Sequence, residues 1–119
     1  MFNLDNTMRY WLYNKPVNMR LGFNGLSGIV ANYMNMNPRS GDVFIFINTA
    51  RNRIKILHRE EYGLVLYALR VEIGKLSVPF FEENEENSSY LDHKQLMMIA
   101  KSAMESSYVR RMKMLSKNL

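Results

Sequence analysis

Two hydrophobic periods alternate along this chain, one suited to strands and one to helices. Residues 1–8 read as a loose leader. Arg9-Tyr-Trp-Leu-Tyr13 is dense in aromatic side chains, which predicts a first short strand ended by Lys15-Pro16. From Asn18, a candidate N-cap, Met19, Phe23, Leu26, Val30 and Tyr33 recur at spacings of four, three, four and three, the stripe of one helix face. That helix is expected to end near Asn35, ahead of Asn37-Pro38.

Val43 to Ile47 is apolar at every position, which predicts a strand buried on both faces in the middle of a sheet. Asn48-Thr-Ala-Arg-Asn52 reads as a hairpin loop. Arg53-Ile-Lys-Ile-Leu-His-Arg59 alternates basic and apolar, giving a strand whose wet face carries Arg53, Lys55 and Arg59, with one irregularity at Leu57. Leu64 to Ile73 and Leu76 to Phe80 suit two further strands around a tight turn at Gly74-Lys75. The stretch Glu82 to Ser89 has no periodicity and reads as a solvated acidic loop. Asp92 followed by Gln95 forms a capping box, with Leu91 placed to staple onto Leu96, so a second helix is predicted from about His93 to Ser102. Beyond Glu105 lies a basic stretch from Tyr108 to Lys117 that either extends the helix or forms a tail.

The resulting expectation is an α+β fold: an antiparallel β-meander of four to five strands, one helix from the N-terminal half packed on the sheet, and a C-terminal helix completing the core. With 119 residues, 47% of them hydrophobic, one domain over 1–119 is expected, its core about 9–104 and its basic tail about 105–119. Cysteine is absent, which excludes disulfides and thiolate metal sites and fits a reducing compartment. No signal-peptide pattern opens the chain, and its longest apolar run falls far short of the roughly 20 residues that span a bilayer, so a cytoplasmic protein with no membrane partner is expected.

Charge changes this picture most. The net charge is +5, divided into +5 over residues 1–81, −5 over 82–92 and +5 over 93–119, an arrangement that draws polyphosphate to a basic face. Arg20, Arg51, Arg53, Lys55, Arg59 and Arg70 in the central block, with Arg110 and Arg111 in the tail, are the candidate nucleic-acid-binding residues. No helix-turn-helix, zinc-finger or RNA-binding signature accompanies them.

Catalytic chemistry has less to stand on. Metal-dependent phosphoryl transfer needs clustered carboxylates, whereas Asp5, Asp42, Glu60, Glu61 and Glu72 fall at loops or strand ends. His58 and His93 are expected to be structural or exposed, so no metal and no cofactor is assigned. Gly22-x-x-Gly25-x-x-Gly28 lacks the Lys-Ser or Lys-Thr of a phosphate loop and reads instead as small residues that let a helix pack tightly on the sheet.

Three blocks in one order carry a further signal: Asn18-Met-Arg-Leu-Gly-Phe-Asn-Gly-Leu26, Asn37-Pro-Arg-Ser-Gly-Asp-Val-Phe-Ile-Phe46, and Arg53-Ile-Lys-Ile-Leu57 running on to Glu72-Ile-Gly-Lys75 and Val78-Pro79. From Trp11 to Ala103 the chain resembles the TnpB accessory proteins of insertion sequence 66 transposons, products of the second reading frame and unrelated to the guide-RNA nuclease of that abbreviation. Matching positions include Met19, Arg20, Gly25, Pro38, Gly41, Phe44, Arg53, Lys55, Arg70, Glu72, Pro79, Gln95 and Leu96. Departures fall at His58 and Arg59, where the family pattern has two tryptophans, at Ala68 and Leu69 in place of Tyr-Lys, and at Val78 in place of tryptophan. The resemblance implies a non-catalytic accessory factor for DNA transposition that binds the element's transposase, its DNA, or both. A nucleic-acid-processing enzyme and a regulator of transposase production are the alternatives. Oligomeric state is not legible in the sequence.

Overall fold

The computed structural model describes residues 4–78 and 86–102. Its elements are β1 (Tyr10–Tyr13), α1 (Phe23–Asn32), β2 (Val43–Ile47), β3 (Arg53–Glu60), β4 (Gly63–Arg70) and β5 (Ser88–Leu91), followed by a second helix, α2, through residues 93–102. The strands form one sheet in the order β4-β3-β2-β1-β5.

The sheet is mixed, which corrects the expected antiparallel meander. β1 runs parallel to β2, with Tyr10 beside Val43 and Leu12 beside Ile45, while the other three pairings are antiparallel. The cause lies in the connection: α1 separates β1 from β2, and a helical crossover returns the chain to the sheet in the same direction, where a short hairpin would reverse it.

β2 is buried at all five positions, as a central strand should be. Its alternate side chains feed two cores. Val43, Ile45 and Ile47 join Tyr10, Leu12, Ile54, Ile56 and Leu91 under Leu96 and Ile99 of α2. Phe44 and Phe46 join Tyr13 and Leu57 under Leu26 and Val30 of α1. The two helices therefore cover opposite faces. Leu57, the irregularity in the basic face of β3, is buried because it lies in the α1 core, whereas Arg53 and Arg59 on the same side are exposed.

Helix boundaries follow local hydrogen bonding. The predicted start at Asn18 is corrected: its Oδ1 accepts the Arg20 amide at 2.9 Å and its carbonyl accepts Leu21 N–H at 3.1 Å, a side-chain-supported turn that competes with helix. The helix begins after Gly22, which offers no side-chain cap. It ends at Asn32, three residues ahead of the predicted Asn35, which lies beyond the cap in a left-handed φ of 55°, with Met36 N–H reaching back to the Val30 carbonyl at 3.0 Å. Of the predicted stripe, Leu26 and Val30 are buried while Phe23 and Tyr33, at the helix ends, are exposed.

Two further strand expectations change. β4 ends at Arg70, short of Ile73, and residues 76–78 are not a strand. Leu76 and Val78 are buried around exposed Ser77, the period of a strand, yet Leu76 N–H bonds to the Arg51 carbonyl and Ser77 N–H to Ser102 Oγ. Alternating burial is satisfied here by core packing without a ladder. Conversely, Ser88 and Ser89, read as loop, belong to β5. Asn14 explains the difference: wholly buried, it donates from its amide to Asn87 O and from Nδ2 to Glu86 O, and its Oδ1 accepts from Ser89 Oγ. Pro79 and Phe80, the acidic residues 82–85 and the tail from 103 lie outside the described residues.

The capping box at the start of α2 is present, and Leu91 and Leu96 share one core. Among Gly22, Gly25 and Gly28, an added Cβ meets a neighbour only at Gly25, and that neighbour is the Leu21 side chain. Tight packing of this glycine series on the sheet is thus corrected to one local contact. Among the described residues no helix is long and apolar enough to cross a membrane.

Candidate nucleic-acid interface

The β2–β3 hairpin and the β3–β4 ladder together gather cations at one end of the sheet. Asn48 shapes the hairpin: its Oδ1 accepts the amides of Asn52 and Arg53, both at 3.0 Å, and its Nδ2 donates to Asn52 Oδ1 at 2.7 Å. Arg51 takes the left-handed position of this loop, φ 59°. The chain thereby enters β3 at Arg53 in a fixed register.

Arg53 lies directly opposite Arg70 in the antiparallel β3–β4 pair, and Lys55 lies opposite Ala68. Paired residues share a face, so the two guanidinium groups and the Lys55 ammonium emerge on the α1 side of the sheet. Both arginines are exposed, and neither has a carboxylate partner among the described residues. A cleft of about 190 Å³ lies between them, with Met19 as one wall and the small Ala68 leaving the room. Like charges directly opposite each other are destabilising unless an anion intervenes.

Lys55 is partly committed. Its Nζ donates to the Leu21 carbonyl at 2.8 Å, tying β3 to the turn ahead of α1. Lys55 also lines the cleft, and an ammonium has three donors, so the bond to Leu21 uses one of them. Arg20 sits in that same turn, between cleft-lining Met19 and Leu21.

The remaining candidates do not converge. Arg59 pairs with Leu64 at the far end of β3, six residues from Arg53 and therefore roughly 20 Å away. Arg110 and Arg111 lie outside the described residues. Two participants are not singled out by sequence reasoning. Ala68 is visible there only as a departure from the family pattern, although a small residue opposite a lysine is what opens a cleft. Arg9, over the Trp11 ring at 5.6 Å, forms a separate basic and aromatic site at β1, where Trp11 also meets Tyr90 edge-on and donates to Asp42 Oδ2.

The departures from the family pattern divide by environment. His58 and Val78 are buried, so residues there fill a core, whereas Arg59 and Ala68 are exposed. His58 Nδ1 has no hydrogen-bond partner and lies 3.6 Å from Glu60 Oε2, which also accepts from the Tyr67 hydroxyl. No group of three or more His, Asp or Glu side chains among the described residues is arranged to hold a metal ion.

A five-stranded mixed sheet with a helix on each face and a basic cleft at one end defines a small α+β protein. The chain belongs to the IS66 Orf2-like family, whose model matches residues 8–110, and is thereby an insertion-sequence-associated accessory protein. It is similar to two proteins of Sinorhizobium fredii (strain NBRC 101917 / NGR234): the uncharacterized protein y4jC, 29% identical over 79 residues that cover 66% of this chain and 68% of the relative, and the uncharacterized protein y4hO, 27% identical over 82 residues that cover 69% and 71%. No solved structure matches the chain.

Proposed function

We propose that this protein is a non-catalytic accessory factor in transposition of its insertion sequence, acting in the cytoplasm by contacting the DNA backbone and the transposase of the same element. The observation that carries the DNA half is the Arg53–Arg70 pair, two exposed cations held opposite each other around a cleft with no carboxylate between them. A phosphodiester oxygen placed between two guanidinium groups relieves their repulsion and gains charge-assisted hydrogen bonds. Base-edge recognition has no support in this arrangement, so the contact is read as independent of sequence. Family membership supports the transposase half.

The test is fluorescence anisotropy with duplexes of unrelated sequence over a salt series. Arg53→Gln with Arg70→Gln should weaken binding equally for all duplexes and reduce the slope of log K against log salt by roughly 0.9 for each phosphate that is no longer neutralised. Arg59→Gln, at the far end of β3, should change the affinity less. Absence of DNA binding by the unmodified protein at low salt would overturn the DNA half, leaving the basic cleft to an acidic surface of the transposase.

A further inference from the structure

β4 is an edge strand of eight residues whose outer side is unpaired among the described residues. Edge strands are ordinarily blunted by proline, by a bulge, by lysine or by brevity. β4 has none of these. Its ladder to β3 is unbroken from Arg70 to Gly63, and Leu64, Val65, Leu66, Tyr67, Ala68 and Leu69 follow one another without a charge.

We propose that β4 pairs antiparallel with β4 of a second copy of this chain, joining two sheets into one of ten strands. Symmetry restricts how this happens. Antiparallel neighbours of one kind are related by a twofold axis perpendicular to the sheet, so each side chain meets one from the same face of the other copy. Residue numbers that face each other must then sum to an even number, because faces alternate along a strand.

Centring the axis on Leu66 satisfies this rule. Leu66 meets its own copy, Val65 meets Tyr67, and the larger Leu64 meets the smaller Ala68. Continuing outward, Arg70 faces Tyr62, a residue 96% exposed at the tip of the β3–β4 turn and otherwise unexplained there. A guanidinium against an exposed tyrosine ring is a favourable pair. Charge agrees as well. The end of the hairpin bearing Arg53 and Arg70 meets the other copy's turn, where Glu61 is exposed, whereas parallel pairing would stack Arg70 on Arg70.

The axis direction places both α1 faces on the same side of the joined sheet, so two copies of the basic cleft share one surface. One strand pair covers little area compared with stable interfaces, so the dimer is expected to form in the micromolar range. The proposal does not rest on DNA binding, and its test omits DNA.

Sedimentation equilibrium of the full chain should show a monomer–dimer equilibrium at micromolar concentrations. Tyr62→Ala and Arg70→Glu should each weaken it, and the two substitutions combined should weaken it little more than Arg70→Glu alone, as for two residues that face each other. Because the chain has no cysteine, Leu66→Cys should crosslink to itself under mild oxidation, while Leu64→Cys should crosslink only when mixed with Ala68→Cys. A monomer throughout that range overturns the proposal, as does a dimer in which Leu66→Cys fails to crosslink with itself; circular dichroism of each variant verifies that it is folded.

Discussion

Asp92 and Gln95 exchange hydrogen bonds: the Asp92 amide donates to Gln95 Oε1 at 2.9 Å, and the Gln95 amide donates to Asp92 Oδ1 at 2.7 Å. The pair satisfies first-turn donors of α2 and fixes where that helix leaves β5. Asp92→Ala should therefore lower stability by about 0.5–2 kcal/mol. A denaturant midpoint unchanged by the substitution would mean that the box contributes nothing.

Lys55 is expected to matter for stability as well as for charge, because its Nζ holds the Leu21 carbonyl. Lys55→Met keeps most of the aliphatic stem but removes the donor, and should cost about 1–2 kcal/mol, in the range for hydrogen bonds to charged groups discounted for partial exposure. Arg53→Gln, at an exposed position, should leave the midpoint nearly unchanged. Equal effects of the two substitutions in urea unfolding would contradict this division of labour.

Asn14→Ala acts on the three hydrogen bonds that tie β1 to residues 86–89. The alanine amide retains the backbone bond to Asn87 O, so two side-chain bonds disappear in a wholly buried place, at about 2 kcal/mol. Hydrogen exchange should report the loss first in β5, before β2 and β3 are affected. Uniform acceleration across the sheet would show that β5 is not a separate unit.

Burial pushes the Tyr10 phenol above its ordinary pKa, helped by the nearby Asp5 charge, and burial followed by the charge of Tyr33 does the same for Tyr13. A phenol whose folded pKa is raised contributes stability that is intact below the unfolded value near about 10 and is lost as pH rises through the folded value. Unfolding should accordingly become easier in that alkaline window. Asp5 works in the opposite direction on the acid side, since the Thr7 hydroxyl holds its carboxyl below the usual range and that contribution fades as pH falls. Tyr10→Phe should flatten the alkaline limb of stability against pH, and an unaltered limb would assign it elsewhere.

The non-catalytic reading has a direct check. Supercoiled plasmid incubated with the purified protein and Mg²⁺ or Mn²⁺ should remain uncut. Metal-dependent nicking that disappears on Glu72→Ala in a folded protein would make it a nuclease.

What the sequence makes legible is mainly what depends on near neighbours. The capping box needs only Asp92 and Gln95 three positions apart, and the full burial of β2 is announced by five apolar residues in a row. The direction of β1 is not legible locally because it depends on what its connection does: the helical stripe from Phe23 is plain, yet a helix between two strands turns an expected reversal into a parallel crossover. Residues 76–78 mislead because Leu76 and Val78 are buried on a period of two without strand partners. β5 is hidden because its partner lies far back in the chain and its anchor, Asn14, carries no pattern of its own. In the candidate site, the alternation of Arg53 and Lys55 puts both cations on one face, but only the β3–β4 register brings Arg70 opposite Arg53 and leaves Arg59 alone.

The pairing of Tyr10 with Leu91 has a consequence for the order of assembly. During synthesis the first strand leaves the ribosome long before the residues that seal its outer edge, and closing so wide a span is slow compared with forming the β2–β3–β4 hairpins. Nascent chains should therefore pass through a state in which the hairpins are formed while the edge of β1 beside Trp11 is still open. Chaperone capture and premature aggregation are then expected at the start of the chain, although in the finished fold β1 lies inside the sheet and its edges among the described residues are β4 and β5.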